Sequence, residues 1–176
     1  MARLKFLAFA GIAMLGGSTV YAQQMPASCN TDPAMVSFKL EKGLSQQYRA
    51  VVQVNNLGSK HWQSAPGLQR LLVTFRNART GNPITQSFDL PTGANAGGSM
   101  VIDTTPFIPG AFDTQANPFA PKSMGGSADV RINYGPSVAG DGNPYNDDRN
   151  LNNNWRAASQ NQVLNFVTSA DRFRNY

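Results

Sequence analysis

Short segments with the two-residue alternation of β-strands recur along this chain, and turn-forming residues separate them. Segments of this kind, rich in Val, Ile, Thr and aromatic residues, favour half-buried strands. No window of useful length repeats its apolar residues at the spacing of an amphipathic helix. We therefore predict an all-β chain with about seven strands, at 35–40, 48–54, 70–76, 84–90, 99–103, 127–134 and 163–167.

The spacing of these segments predicts how they pack. Seven short strands in about 150 residues are typical of an immunoglobulin-like antiparallel β-sandwich, which we place at residues 34–176 as one domain. Segment 127–134 alternates strictly between apolar and polar residues, as expected of an antiparallel sheet that faces water on one side. The stretch 104–126 contains four prolines, which oppose both a helix and a central strand there.

The N-terminus has the organisation of a secretory signal peptide. Two basic residues precede an apolar run at 6–15, and the small-residue pattern at 20–22 fits cleavage before Gln23. An apolar run of about ten residues is too short for a bilayer, which needs about 20. We predict a signal peptide at 1–22, a flexible segment at 23–33, and an exported chain, periplasmic or extracellular, without an integral membrane segment once mature.

Cysteine content and charge narrow the choice of partners. Cys29 is the only cysteine, so no internal disulfide is possible, and it lies too far beyond the apolar run to carry a lipid anchor. The formal net charge of +5 falls to +3 when the signal peptide, with Arg3 and Lys5, is removed. Without a run of Lys or Arg, that charge argues against a nucleic-acid partner.

The sharpest chemical feature is the polar stretch GDGNPYNDD at 140–148. Carboxylate and amide oxygens close together suit Ca²⁺, and the candidate ligands are Asp141, Asn143, Asp147 and Asp148. The spacing is not that of an EF-hand, whose twelfth position would be Asn152 instead of Glu. The alternative is structural, because Asn and Asp fill turns by bonding nearby backbone amides without any metal.

Aromatic residues in loops are candidates for contact with a partner. These are His61 with Trp62 in one loop, and Phe107, Phe112 and Phe119 in the proline-rich stretch. Exposed, the three phenylalanines would form a contact surface for a protein or glycan. Folded back, they would cover an open end of the sandwich instead, since burial stabilises each by roughly 1.5–3 kcal/mol.

Catalysis has little support in the sequence. His61 is the only histidine and cannot build a usual zinc site with one distant cysteine. The stretch GPSVAG at 135–140 resembles a nucleophile elbow, but its second glycine comes one residue late. We predict that the protein is not an enzyme, with a secreted hydrolase as the least favoured alternative.

Three stretches of the chain, taken in order, resemble CARDB-type adhesion domains, a family of bacterial immunoglobulin-like modules. They are VQVNNLG at 52–58, followed by Trp62 and the pair at 64–65; SADVRINY at 127–134; and the Asn-rich loop at 146–154. The resemblance spans about residues 34–168. It implies a non-catalytic module for adhesion or protein contact.

Two functions are thus open for an exported β-domain of this size. The first is a binding or adhesion module that acts through loops or sheet edges, with Ca²⁺ as a candidate brace. The second is a self-assembling subunit or periplasmic assembly factor that uses strand addition at an open sheet edge. In that case, residues 23–33 are the candidate donor strand.

Overall fold

The computed structural model of the protein describes residues 30–100, 102, 105–114, 125–133, 138 and 141–176. These residues contain eleven strands, and all of their pairings are antiparallel. The strands are β1 (Pro33–Lys42), β2 (Gln47–Asn56), β3 (Trp62–Gln63), β4 (Arg70–Asn77), β5 (Pro83–Asp89), β6 (Gly93–Ala94), β7 (Ser99–Met100), β8 (Ile108–Pro109), β9 (Gly126–Asn133), β10 (Trp155–Ala158) and β11 (Phe173–Asn175). The chain is therefore mostly β, as predicted.

Five predicted strands correspond closely to observed ones. The segments at 35–40, 48–54 and 70–76 lie in β1, β2 and β4, and those at 84–90 and 127–134 overlap β5 and β9. Leu90 follows the end of β5, and Tyr134 lies outside the described residues. The segment at 99–103 begins with β7, while Val101 and Asp103 lie outside the described residues. The same holds for residues 104 and 115–124 of the proline-rich stretch, whose described part contains β8.

The first sheet is built on the hairpin of β1 and β2. Its order is β11-β1-β2-β7, and β8 pairs with the start of β2. Ser45 and Gln46 at the hairpin turn both have a left-handed backbone, with φ of 53° and 60°. Two such residues in succession suit a tight turn between twisted strands, and the pairing of the two strands begins beyond it, with Lys42 opposite Tyr48.

The second sheet has the order β10-β9-β4-β5. β4 lies at its centre, where Val73 faces Val130 of β9 on one side and Gln86 of β5 on the other. The inward residues of β4 are buried, whereas most residues of β5 are exposed. β3 and β6 form a separate short pair, with Trp62 opposite Ala94.

The two sheets share one apolar core. Its largest fully buried side chains come from both sheets and from the elements around them, and include Trp62, Phe38, Phe75 and Phe166. Each buried side chain of this size stabilises the fold by roughly 1.5–3 kcal/mol relative to exposure. Two antiparallel sheets around a common core are consistent with an all-β sandwich.

The last predicted strand, at 163–167, is wrong, because this segment lies in the helix α1 (Gln160–Thr168). Ser159 caps the helix: its Oγ accepts from the Gln162 N–H at 3.4 Å, and the Gln162 Oε1 accepts from the Ser159 N–H at 2.8 Å. This reciprocal pair is a capping box. Val163 and Phe166, three residues apart on one helical face, are buried in the core.

The N-terminal boundary lies earlier than the predicted residue 34. Thr31 and Asp32 are buried, and the carbonyl oxygens of Asn30 and Asp32 accept hydrogen bonds from Ser59 and Leu57 at 2.8 and 2.7 Å. Residues 30–33 of the predicted flexible segment are thus part of the fold. The signal peptide, residues 23–28 and Cys29 lie outside the described residues. Within the described ranges, no helix has the length and apolar character needed to cross a membrane.

Candidate functional site

The Asp/Asn loop, which we define as residues 141–154, builds its turns from its own side chains. Four times, the side-chain oxygen of an Asp or Asn accepts a hydrogen bond of 2.7–3.2 Å from the backbone N–H two residues further on. The four acceptors are Asp141, Asn143, Asp148 and Asn150. This arrangement is the Asx turn. These side chains therefore bond nearby backbone amides, as the metal-free alternative predicts.

One side of the Asp/Asn loop is docked on the start of the domain. Thr31 donates its hydroxyl to the carbonyl oxygen of Asp147, and the Arg149 N–H donates to the Thr31 carbonyl at 2.9 Å. The Asp32 carboxylate accepts from Arg149 at 3.2 Å and from the Asn153 amide at 2.7 Å. Because these bonds are buried or partly buried, they hold the loop to the N-terminal segment more firmly than surface bonds would.

The other side of the Asp/Asn loop contacts β3 and the segment before β4. The Gln63 N–H donates to the Tyr145 carbonyl at 2.9 Å, and the Asn143 amide donates to the Gln63 carbonyl at 3.2 Å. The buried Gln69 donates its side-chain amide to the Asn146 carbonyl at 3.1 Å. The loop is therefore held on both flanks by hydrogen bonds to other parts of the chain.

Asp148 is a fully buried acid of the Asp/Asn loop. Its carboxylate accepts from the Asn150 N–H at 2.8 Å and from the Asn154 amide at 2.6 Å. Burial raises the pKa of Asp148 to about 6, and the nearby charge of Asp32 adds to this rise. The two hydrogen bonds and the charge of Arg149 act in the opposite direction, but desolvation is the larger effect.

Three loops meet at the end of the sandwich that holds the Asp/Asn loop, and we call them together the loop end. They are residues 57–61, 64–69 and 141–154, which follow β2, precede β4 and precede β10. The loop end exposes four large apolar side chains, with exposed fractions of 39–50%: Leu57, Leu68, Tyr145 and Leu151. Four such side chains on hydrogen-bonded loops form a candidate contact surface.

The predicted calcium ligands are divided between two environments. Asp141 is exposed and Asn143 is half-buried on the outer part of the Asp/Asn loop, whereas Asp147 and Asp148 are buried toward the N-terminal segment. Within the described part of the chain, no three acidic, histidine or cysteine side chains lie close enough to hold a metal ion. The four residues stay a prediction as ligands.

A separate observation concerns amide oxygens near these acids. Three buried side-chain oxygens of the Asp/Asn loop have no hydrogen-bond partner among the described residues, and they belong to Asn146, Asn153 and Asn154. In each case the amide nitrogen of the same side chain donates to a carboxylate. Amide oxygens of this kind can ligate a hard cation, so they are the feature that favours Ca²⁺.

His61 and Trp62, predicted as binding residues, have different surroundings. Trp62 is fully buried, and its indole N–H donates to the Pro91 carbonyl at 3.1 Å. His61 is exposed, and its Nδ1 lies 3.2 Å from the Asn95 Oδ1. Trp62 is therefore part of the core beneath the loop end. Of these two residues, only His61 is accessible to a partner.

The predicted aromatic surface in the proline-rich stretch is not exposed as a whole. Phe112 is buried, with its ring centroid 5.1 Å from that of Tyr48 and 5.8 Å from that of Phe75. Phe107 is half-buried beneath the Arg49 guanidinium, which lies 4.5 Å from its ring centroid. For Phe112 the folded-back alternative is correct, and Phe119 lies outside the described residues.

The exposed residues of the loop end were not singled out from the sequence. Leu57, Tyr145 and Leu151 each follow an Asn or Pro inside a polar, turn-forming stretch. An apolar residue in such a turn has no core position available, which is the signal that could have identified it. The partners that hold these loops are distant in sequence and gave no local signal.

Comparisons of the chain with protein-family models, with curated proteins and with solved structures give no match. The resemblance to CARDB-type domains therefore stays a prediction from the stretches at 52–58, 127–134 and 146–154.

Proposed function

We propose that the protein is an exported, non-catalytic binding module with an immunoglobulin-like β-sandwich, and that it contacts a protein or glycan partner through its loop end. One observation carries this proposal. The loop end exposes Leu57, Leu68, Tyr145 and Leu151 on loops whose backbones are fixed by hydrogen bonds.

Fixed loops are suited to binding because they lose little conformational entropy when a partner arrives. Ordering a mobile side chain at an interface costs about 0.5–1.5 kcal/mol, and ordering a loop costs more. In this protein the loops are already ordered when the chain folds, because the Asx turns and the hydrogen bonds of Thr31, Asp32 and Gln69 hold them. Tyr145 adds the kind of rigid, amphipathic side chain that is enriched in contact surfaces.

The other parts of the proposal come from the sequence and the fold together. The signal-peptide pattern at 1–22 supports export. Two antiparallel sheets with a shared core support an immunoglobulin-like topology, as does the resemblance to CARDB-type domains. Loops at one end of such a sandwich are a common location for binding residues.

We further propose that the Asp/Asn loop keeps its form without a metal. Both oxygens of the Asp32, Asp141 and Asp148 carboxylates already accept hydrogen bonds from the protein. A Ca²⁺ ion would have to replace some of these donors, and Arg149 places a competing positive charge beside Asp32. Ca²⁺ bound through the unpartnered amide oxygens is the second candidate.

Thermal unfolding of the mature chain in Ca²⁺ and in a chelator distinguishes these two alternatives. Equal midpoints support a metal-free loop. A clear rise with Ca²⁺ that is lost in Asp148→Asn would favour the metal, because a ligand that binds only the folded state raises its stability.

The binding proposal is tested with labelled mature chain on a glycan array and on a preparation of envelope proteins from the producing cells. Tyr145→Ser combined with Leu151→Ser should weaken any specific signal by roughly tenfold or more, which is about 1.4 kcal/mol. Leu44→Ser is the matched control, because Leu44 is exposed at the β1–β2 turn, at the opposite end of the sandwich. Equal loss in both variants, or no specific signal for the parent protein, would contradict the proposal.

A further inference from the structure

β5 is an open edge of the second sheet. It is the outermost strand in the order β10-β9-β4-β5, and no described residue pairs with its outer side. Five of its seven residues are exposed, and 84–88 contains no charged side chain. Exposed edge strands usually carry charges, prolines or bulges that prevent pairing. Here Pro83 and Asp89 stand only at the two ends.

We propose that β5 pairs antiparallel with β5 of a second copy of this chain, around a twofold axis at Gln86. The two four-stranded sheets then form one continuous sheet across the dimer. This inference goes beyond the binding function of the loop end, because it uses a different surface and a different partner. The occupant is a second copy because the sequence of β5 is complementary to itself.

The self-complementarity follows from the register. Antiparallel pairing about a perpendicular twofold axis places one residue opposite its own copy, and the register centred on Gln86 pairs all seven residues of β5. It brings Ile84 opposite Phe88 of the second copy, and Thr85 opposite Ser87. Cross-strand pairs of a β-branched apolar residue with an aromatic residue, and pairs of hydroxyl residues, stabilise a sheet. Ile84 is 38% exposed in the single chain, so the dimer also covers apolar surface.

The side chain of Gln86 provides an independent observation. Its Oε1 is enclosed and has no hydrogen-bond partner among the described residues. A buried acceptor without a hydrogen bond destabilises the state that contains it. At the twofold axis the two Gln86 amides face each other, and each can donate to the oxygen of the other. Turning the amide outward breaks no bond of that oxygen, because it has none in the single chain.

The other sheet edges are less suited to this pairing. β10 has four residues and leads directly into Ser159 and α1. In the first sheet, β11 has three residues and β7 has two. β5 is thus the longest outer strand among the described residues, and the area of a strand pair grows with its length.

Disulfide trapping tests both the pairing and its register. Gln86→Cys is made together with Cys29→Ser, so that the new thiol is the only one. Opposed residues have Cα atoms about 4.5–5.5 Å apart, within the range of a disulfide. Thr85→Cys with Cys29→Ser is the matched control, since Thr85 and its own copy are diagonal neighbours about 7–8 Å apart. We expect covalent dimer from Gln86→Cys and little from Thr85→Cys.

Sedimentation of the mature chain over its soluble concentration range provides the second measurement. The parent protein should form a dimer, and Gln86→Lys should weaken it by roughly tenfold or more because two positive charges meet at the axis. Gln53→Lys, the same change on an exposed residue of β2, should leave the dimer intact. A parent protein that stays monomeric, a dimer unaffected by Gln86→Lys, or equal cross-linking through Thr85→Cys would overturn the proposal.

Discussion

Asp148 shows how one buried group links this fold to pH. Its pKa is raised from 3.8 to about 6 because burial disfavours the charged form. The folded chain therefore binds a proton at a pH where the unfolded chain has released it. The contribution of Asp148 to the free energy of unfolding should therefore increase as the pH falls from about 6 to about 4.

Asp148→Asn should remove this pH dependence. The variant has no carboxyl group to desolvate, and its amide can donate to the unpartnered Oδ1 of Asn154. We expect the variant to gain stability relative to the parent between pH 4 and pH 7, by up to about 3 kcal/mol for a shift of about two pKa units. Urea denaturation of both proteins at pH 4, 5, 6 and 7 measures this difference.

Asp171 provides a control for the same experiment. Its pKa is lowered by the hydrogen bond from Arg174, so it contributes stability above its unfolded pKa that is lost as the pH falls. Asp171→Asn should therefore change the pH profile in the opposite direction. A difference between Asp148→Asn and the parent that does not vary with pH would contradict the role given to Asp148.

Gly58 is a second residue whose identity is fixed by packing. A Cβ atom there would lie 2.1 Å from the carbonyl oxygen of Asn30 and 2.6 Å from the Cα of Thr31. Both are backbone atoms, so the clash cannot be relieved by turning a side chain. We expect Gly58→Ala to destabilise the protein by about 1–3 kcal/mol in chemical denaturation.

Gly93→Ala is the control for this prediction, because its Cβ would meet no atom closer than 3.5 Å. Equal stability of the two variants would show that residues 30 and 31 are not held against Gly58. The sequence has turn-forming residues at 55–58, but it does not indicate this contact. The reason is that the atoms that exclude a side chain belong to a segment more than 25 residues away.

At the scale of elements, α1 depends on its N-terminal cap. Ser159 and Gln162 together satisfy backbone groups that the first turn leaves without partners. We expect Ser159→Ala to lower the free energy of unfolding by about 1 kcal/mol. Asn161→Ala, a change at an exposed and non-capping position of the same turn, should not destabilise; an equal loss in both would argue against the cap.

A strand could be predicted from the sequence where one of its faces is buried and the other is exposed to solvent. β9 shows this, since its alternation survives in the observed burial. The helix was missed because VLNFV at 163–167 is rich in β-favouring residues and short. The Ser-x-x-Gln pattern at 159–162 was the local signal for a helix. Burial of Val163 and Phe166 in the core then stabilises the helix over a strand.

At the scale of the molecule, residues 30–32 act as an integral part of the domain. They bond to the loops at both 57–60 and 147–153. We expect a chain that starts at Pro33 to be less stable than one that starts at Asn30 by roughly 3 kcal/mol or more. It loses several buried hydrogen bonds and leaves polar groups of the Asp/Asn loop unpaired.

Thermal and urea unfolding of these two chains check this expectation. A chain that starts at Gln23, with Ser59→Ala, serves as a control, because the bond from Ser59 to Asn30 uses only backbone atoms. If the chains that start at Asn30 and Pro33 are equally stable, the N-terminal boundary of the domain lies near residue 34, as the sequence predicted. That result would also leave residues 30–33 free to act as a donor strand.

The bonds between residues 31–32 and the Asp/Asn loop also have a consequence for the timing of folding. They join groups 116 to 121 positions apart in the chain, and contacts at such separation form late and slow the folding reaction. A ribosome releases Thr31 long before it has made Asn153, so the loop end cannot close during most of synthesis. The export that we propose would use this delay, because an extended chain can cross a membrane and the last contacts of this fold form only after its far end has arrived.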